Sequence, residues 1–413
     1  MRKYLLLSVL LLQLQLLQAQ DRNTGKENPL EVILKADPAF ENILRNKDSL
    51  RVQIVYTEIN RKRNNKPSFK EYSYNLNNST YFYPASTVKM PIALLALEKL
   101  NELNIPGLDM YSTMITDSSA PTEDYVYNQP HASDGRPTIA NYIQQIFLVS
   151  SNDAFNRLYE FLGQEYIQRK LREKGYPDAI IRHRLQISRT PEQNAVTNAI
   201  RFYDTSGNLL YSQPVQTSKA VYPTVDAALG KGYYSGGKLV NTPFSFNQKN
   251  RVYLQDFHHM IQAVMFPEAI SKNKRFKLKE ADYQYIRKWM GAYPEEIGFP
   301  KYDTGKTITA GNKALYYGAG KTAEPQIRIF NKIGGAYGFL VDVAYVMDME
   351  NKVEYLLSAT ISCNSDGIYN DDRYDYDALG YPFLKELGKA VHRYELQRKR
   401  SYLPDLQPFV FQY

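Results

Sequence analysis

The sequence has almost no cysteine. Its 413 residues contain one, Cys363, so no disulfide can close within the chain and no cysteine-based metal site can be built. Histidine is scarce too: His131, His183, His258, His259 and His392 are the five, and none stands in an H-E-x-x-H or other ligand spacing. His258 and His259 are adjacent, so they fall on different sides of a helix. These histidines read as structural or solvated. A nucleophile here therefore needs another kind of base, and no metal or other cofactor is expected. The formal net charge is +8, yet no block of five or six Lys or Arg occurs, which argues against a nucleic-acid partner. Beyond the N-terminus no run is long and apolar enough to cross a membrane.

The N-terminus, "MRKYLLLSVLLLQLQLLQAQ", has two positive charges, a leucine-rich run and then Ala19-Gln20 before a polar stretch. That is the layout of a secretory signal peptide. Its unbroken apolar part is shorter than the roughly 20 residues a membrane span needs. No cysteine follows it to carry a lipid. The expectation is export to the periplasm or the exterior, with cleavage near Gln20.

The remaining chain has the composition of a globular domain, with 43% hydrophobic and 23% charged residues. "NPLEVILKADPAFENILRNKD" has helical spacing, and "SLRVQIVYTEIN" and "FKEYSYNLN" read as a strand pair. From Ser86 to about Gly175 the pattern is mostly helical. Residues 195–250 differ: "NAIRFYDTSGNLLYSQPVQ" reads as two strands and "GKGYYSGGKLVNTPFSF" as glycine-rich loop, together an insertion. Helices resume with "VYLQDFHHMIQAVMF" and "KEADYQYIRKWMGAY". "NKALYYGAGK", "IRIFNKIGGAYGFLVDVAYVMD" and "VEYLLSATIS" read as strands, and "YPFLKELGKAVHRYELQRKR" as a closing helix. The economical fold is α+β: one antiparallel sheet flanked by terminal helices, with a helical lobe inserted. After a signal at 1–20, residues 21–413 form one two-lobed domain. The sheet lobe spans about 28–84 and 300–400; the helical lobe spans about 85–299 and contains the insertion.

Three S-x-x-K patterns occur. Ser235/Lys238 brackets two glycines, Ser271/Lys274 lies in polar "SKNKRFK", and only Ser86/Lys89 in "FYPASTVKMP" opens an apolar helix. On a helix, residues three apart share a face, so the amine can reach the hydroxyl. Lysine acts as a base only when burial or nearby cations lower its pKa. Taken alone, a helix cap followed by a solvated lysine explains the pair equally well.

Two further stretches change that balance. "VSSNDAFNRL" puts Ser150-Ser151-Asn152 between two predicted helices, and "NKIGGAYGFLVDVAYV" puts Lys332-Ile333-Gly334 at the start of a strand pair. In order and context, these three motifs resemble the S-x-x-K, S-D-N and K-T-G elements of class A β-lactamases and the related penicillin-binding D,D-peptidases. The resemblance spans most of residues 30–395. It implies a β-lactamase/transpeptidase-like fold and a serine hydrolase that forms an acyl-enzyme at Ser86. Lys89 would serve as base, and Ser150 as proton relay to the leaving nitrogen, supported by Lys332. Asn152 would bind the substrate amide, Gly334 would belong to the substrate-binding strand, and the backbone N–H groups of Ser86 and Gly335 would form the oxyanion hole.

Two departures stand out. Ile333 replaces the hydroxyl that the family uses for the substrate carboxylate. The glutamate that activates the deacylating water has only Glu192, in "RTPEQNAVTN", as a candidate, and no asparagine stands four residues after it. The expected substrate is a small molecule or peptide, a β-lactam or a peptidoglycan-like amide, and the expected state is a monomer. A cell-wall D,D-peptidase-like penicillin-binding enzyme with slow deacylation is one alternative. A non-catalytic binding module on the same fold is another.

Overall fold

The computed structural model describes residues 27–118, 124–298, 312–320 and 322–413. The signal peptide expected at residues 1–20 lies outside the described residues. Five strands make the central sheet: β1 (Gln53–Arg61), β2 (Pro67–Tyr74), β3 (Ile327–Ala336), β4 (Phe339–Asp348) and β5 (Val353–Ser362). Their spatial order is β3-β4-β5-β1-β2, with every pair antiparallel. The first two strands complete a sheet begun by the last three, so the sequence between them is accommodated as one large excursion.

Alternate side chains on the strands point to opposite faces, and each face has its own core. On one, Val55, Val343 and Tyr345 join the apolar sides of α2 (Lys89–Leu103), α3 (Ile139–Val149), α4 (Asn152–Leu162), α5 (Leu254–Met265) and α6 (Glu280–Gly291). On the other, Ile54, Ala344 and Leu357 pack with α1 (Pro29–Ala36) and α7 (Tyr381–Gln397). Helix α2 runs through the first core, buried from Lys89 to Leu100. Its charged residues in that stretch are buried with partners: Glu98 meets Lys174 at 2.8 Å, and Lys99 donates to Gln213 Oε1 at 2.7 Å. His258 of α5 is wholly buried, bridging Thr57 Oγ1 of β1 and Ser358 Oγ of β5 at 2.8 Å each. Its neighbour His259 turns instead to Glu71 at 2.7 Å.

Three segments differ from the sequence expectation. "NKALYYGAGK" does not form a strand; Ala314–Tyr317 is a kinked helical turn packed on α7. Its backbone approaches α7 so closely at Gly388 that it has no free edge to pair. The glycine-rich stretch of the insertion is a hairpin, with Gly232–Ser235 paired to Lys238–Val240. Gly236 and Gly237 supply the two positive φ angles, 56° and 76°, that a tight hairpin turn needs. The strand pair expected around Ser206-Gly207-Asn208 forms, and Thr113–Thr116 adds a third strand to it. The helical lobe thus carries several small sheets at its periphery.

A Cβ at Gly388 would lie 2.5 Å from the Tyr316 backbone nitrogen and 2.8 Å from its Cα. Gly388→Ala should therefore lower stability by about 1–3 kcal/mol through overpacking, read by urea denaturation.

Candidate active site

Ser86 lies in a short 3-10 turn, Ala85–Val88, that runs directly into α2. The turn starts at Ala85, whose φ of 47° is unusual for a residue with a Cβ. No side-chain cap is present on either the turn or the helix. Ser86 Oγ instead accepts a hydrogen bond from Lys89 Nζ at 2.8 Å. The cap reading of this pair therefore does not describe the fold.

Lys89 is fully buried, and oxygens surround its amine. It donates to the Ser150 carbonyl, to Ser150 Oγ at 3.0 Å and to Asn152 Oδ1 at 2.7 Å, besides Ser86. Ser150 ends α3 in the left-handed region, with φ 54°. Ser151 caps α4, accepting from the Ala154 N–H at 3.2 Å. The middle residue of the motif thus takes the structural task, which leaves Ser150 and Asn152 free to face Lys89.

Strand β3 brings the second lysine. Lys332 Nζ donates to Ser150 Oγ at 2.9 Å and to the Ile333 carbonyl at 2.8 Å. One hydroxyl therefore bridges two amines. Burial, reinforced by the charge of Lys332, holds the pKa of Lys89 well below that of an ordinary lysine. Burial also brings Lys332 down to about 7, against the opposing pull of Asp342. Gly334 packs on the serine turn itself: a Cβ there would meet the backbone nitrogens of Ser86 and Thr87 at 2.7 and 2.8 Å. Ile333 points to the opposite face and packs with the terminal-helix core. It removes a hydroxyl from this strand without crowding the cavity.

A cavity of about 570 Å³ opens over Ser86, bordered by Asn152, Gln186, Lys249, Gly335 and Tyr337 among others. Among the described residues no group of His, Cys, Asp and Glu could hold a metal ion. His183 borders the cavity, but its ring is committed: Nδ1 meets the Arg184 carbonyl at 2.7 Å, and Nε2 accepts from the Asn250 N–H at 3.2 Å. Burial lowers its pKa to about 4, so it stays neutral.

This geometry meets an independent sequence comparison. The model of the β-lactamase enzyme family matches residues 35–281, more than half of the chain. The chain belongs to the β-lactamase enzyme family. As a member it is a β-lactamase-like serine hydrolase. It is similar to the solved β-lactamase of Sphaerobacter thermophilus, with 10% identity, 90% of this chain and 98% of the other covered, and a TM-score of 0.49. A class A β-lactamase from Clostridium kluyveri aligns at 16% identity over 85% of this chain and 97% of its own, with a TM-score of 0.46. No curated protein gives a significant sequence match.

Glu192, the candidate for the β-lactamase glutamate, stands apart from the serine cavity. Glu192 lies exposed in the first turn of the short helix Pro191–Ala195 and does not border the cavity. Its carboxylate pKa is lowered by its own backbone N–H and by Thr190, not by the serine site. The residue that does reach the site is Gln186, whose Oε1 accepts from Asn152 Nδ2 at 2.7 Å. Asn156 of α4 clasps the adjacent Leu185, accepting from its N–H at 2.9 Å and donating to its carbonyl at 3.1 Å. Arg184, tied to Glu160 at 3.0 Å, secures the other side. A search restricted to carboxylates passes over Gln186. The signals for it were Asn156, one turn beyond Asn152, and the Arg-Leu-Gln run.

The two amines should titrate as a coupled pair. In protein with ¹⁵N-labelled lysine, the Lys89 Nζ resonance should lose its proton well below pH 10.5. Lys332→Met removes a cation that disfavours protonated Lys89, so it should move that titration to higher pH.

Proposed function

We infer that Ser86 is the nucleophile of a penicillin-binding type of enzyme whose acyl-enzyme is long-lived. Neutral Lys89 takes the Ser86 Oγ proton as the oxygen attacks the acyl carbon of an amide. The carbonyl oxygen then carries negative charge, opposite the N–H groups of Ser86 and Gly335. One such donor is typically worth about 2.7–4 kcal/mol in the transition state. As the intermediate collapses, the C–N bond breaks, Ser150 gives its proton to the leaving nitrogen, and protonated Lys89 replaces it. Lys332, on the same hydroxyl, assists that transfer electrostatically.

Release of the acyl group needs a base for water. The observation that carries the slow-release reading is the contact between Asn152 and Gln186. The side chain of the 183–190 loop that bonds to Asn152 is an amide, and an amide cannot accept a proton at neutral pH. Acylation has its groups in place, whereas for hydrolysis the loop beside Asn152 offers water an amide, and the carboxylate that borders the cavity among the described residues is Asp372. This favours a D,D-peptidase-like or penicillin-binding enzyme over a rapid β-lactamase. The N-terminal signal sequence suits that role, because wall peptides and β-lactams are met outside the cytoplasm.

Incubation with a fluorescent penicillin, followed by intact-mass analysis, tests the reading. A stable adduct is expected on the native protein and none on Ser86→Ala. Rapid drug turnover without adduct would replace it with a β-lactamase. Gln186→Glu restores a carboxylate and should shorten the adduct lifetime about tenfold or more, since a placed general base contributes roughly 10²–10⁴-fold. Export is checked separately: the N-terminus of the secreted protein should begin near Asp21.

A further inference from the structure

Strand β3 gives the cavity a direction. Lys332 touches Ser150, the donor to the leaving nitrogen, and Gly335 follows at the oxyanion position. Tyr337 comes two residues later, in the tight turn to β4, where it and Gly338 have φ 54° and 73°. The strand ends at Ala336, so Tyr337 opens the turn on the side of Gly335 away from Lys332. A substrate laid along the strand puts its leaving group by Lys332 and its acyl chain by Tyr337.

The insertion delivers a cation to that acyl end. Lys249 borders the cavity and donates to Tyr337 Oη at 3.2 Å. Its amine lies over the rings of Tyr337 and Phe244, 5.3 and 5.8 Å from their centroids. An ammonium has three donors, and among the described residues no carboxylate pairs with this one. The other cations of the site are engaged. Lys89 and Lys332 serve Ser86 and Ser150, and Arg184 is bound to Glu160 and to the Val196 carbonyl at 2.8 Å. Asp372 also borders the cavity, and no ion pair joins it to Lys249.

We propose that Lys249 is a specificity residue that binds a carboxylate, or another anionic group, on the acyl portion of the substrate. The preferred donors then carry negative charge on the part of the molecule that stays attached to the enzyme. Tyr337 and Phe244 hold the lysine in place, and Asp372 repels an anion from the remaining wall. The proposal rests on the acyl-enzyme reading for the direction in which substrate lies.

The test uses penicillins with one common bicyclic nucleus. Two carry anionic side chains, α-carboxybenzyl and 4-carboxybutyl, and each is compared with its carboxamide. On the native protein at least one acid should acylate Ser86 about tenfold faster than its amide, the scale of a hydrogen bond to a charged group. Lys249→Met should bring that ratio near one, Lys249→Glu should invert it, and Lys249→Arg should keep most of it. A native enzyme with no preference for either acid, or a preference that survives Lys249→Met and Lys249→Glu, overturns the proposal. If none of the four acylates the native protein, the acyl-enzyme reading falls. Calorimetric binding of the same compounds to Ser86→Ala, with and without Lys249→Met, then decides the Lys249 proposal by the same ratio.

Discussion

An amine held out of water is the constraint on which the site depends. Burying lysine in its charged form is costly unless oxygens replace its hydration. Lys89 meets the requirement with acceptors from three places: the turn before α2, the end of α3 and the start of α4. Those elements must therefore converge within hydrogen-bond reach of one nitrogen. Lys332 adds a second amine on the shared Ser150 hydroxyl, and the two cannot cheaply be charged together. The packing that solves a burial problem also leaves a lysine able to act as a base.

That convergence is accompanied by backbone strain. Twelve described residues other than glycine have positive φ. Ala85, Gln186, Tyr337, Asn370 and Asp372 among them border the cavity, and Ser150 bridges the two amines. Such conformations cost of order 1–3 kcal/mol each and persist only where the surroundings over-determine them. Here the surroundings can be named for two of them. Asn156 and Arg184 fix the loop that carries Gln186. Gly334 lets β3 press on the turn that begins at Ala85.

The sheet, its terminal helices and the three motifs were legible because periodicity and order in the chain encode them. Strands β4 and β5 are rich in apolar, β-branched and aromatic residues, and the segment opening α2 carries a serine and a lysine at helical spacing. What stayed hidden depended on contacts distant in sequence. Ile333 reads in the sequence as a lost hydroxyl at the site, whereas the strand's alternation puts its side chain on the far face, with Asp342 as its cross-strand partner. Gln186 has no chemical signature of its own; only the Asn152 contact makes it part of the site. Lys249 was one lysine among many until the insertion folded back against Tyr337. Gly236-Gly237 is a local cue of another kind, since two glycines at a hairpin tip are a turn rather than a loop.

Gln186 also bears on the amine from which the site is built. Asn152 links the two, with its Oδ1 on Lys89 and its Nδ2 on Gln186. A glutamine continues this hydrogen-bond chain without charge. A carboxylate in its place would supply the missing base for water, and it would also favour the protonated form of a buried amine nearby. In the proposed mechanism, an uncharged Gln186 therefore adds nothing that would raise the lowered pKa of Lys89, the amine proposed to accept the Ser86 proton. In the proposed mechanism, ready acylation and slow release would both follow from an amide standing where an acid could act, so persistence of the acyl-enzyme would be coupled to how readily it forms.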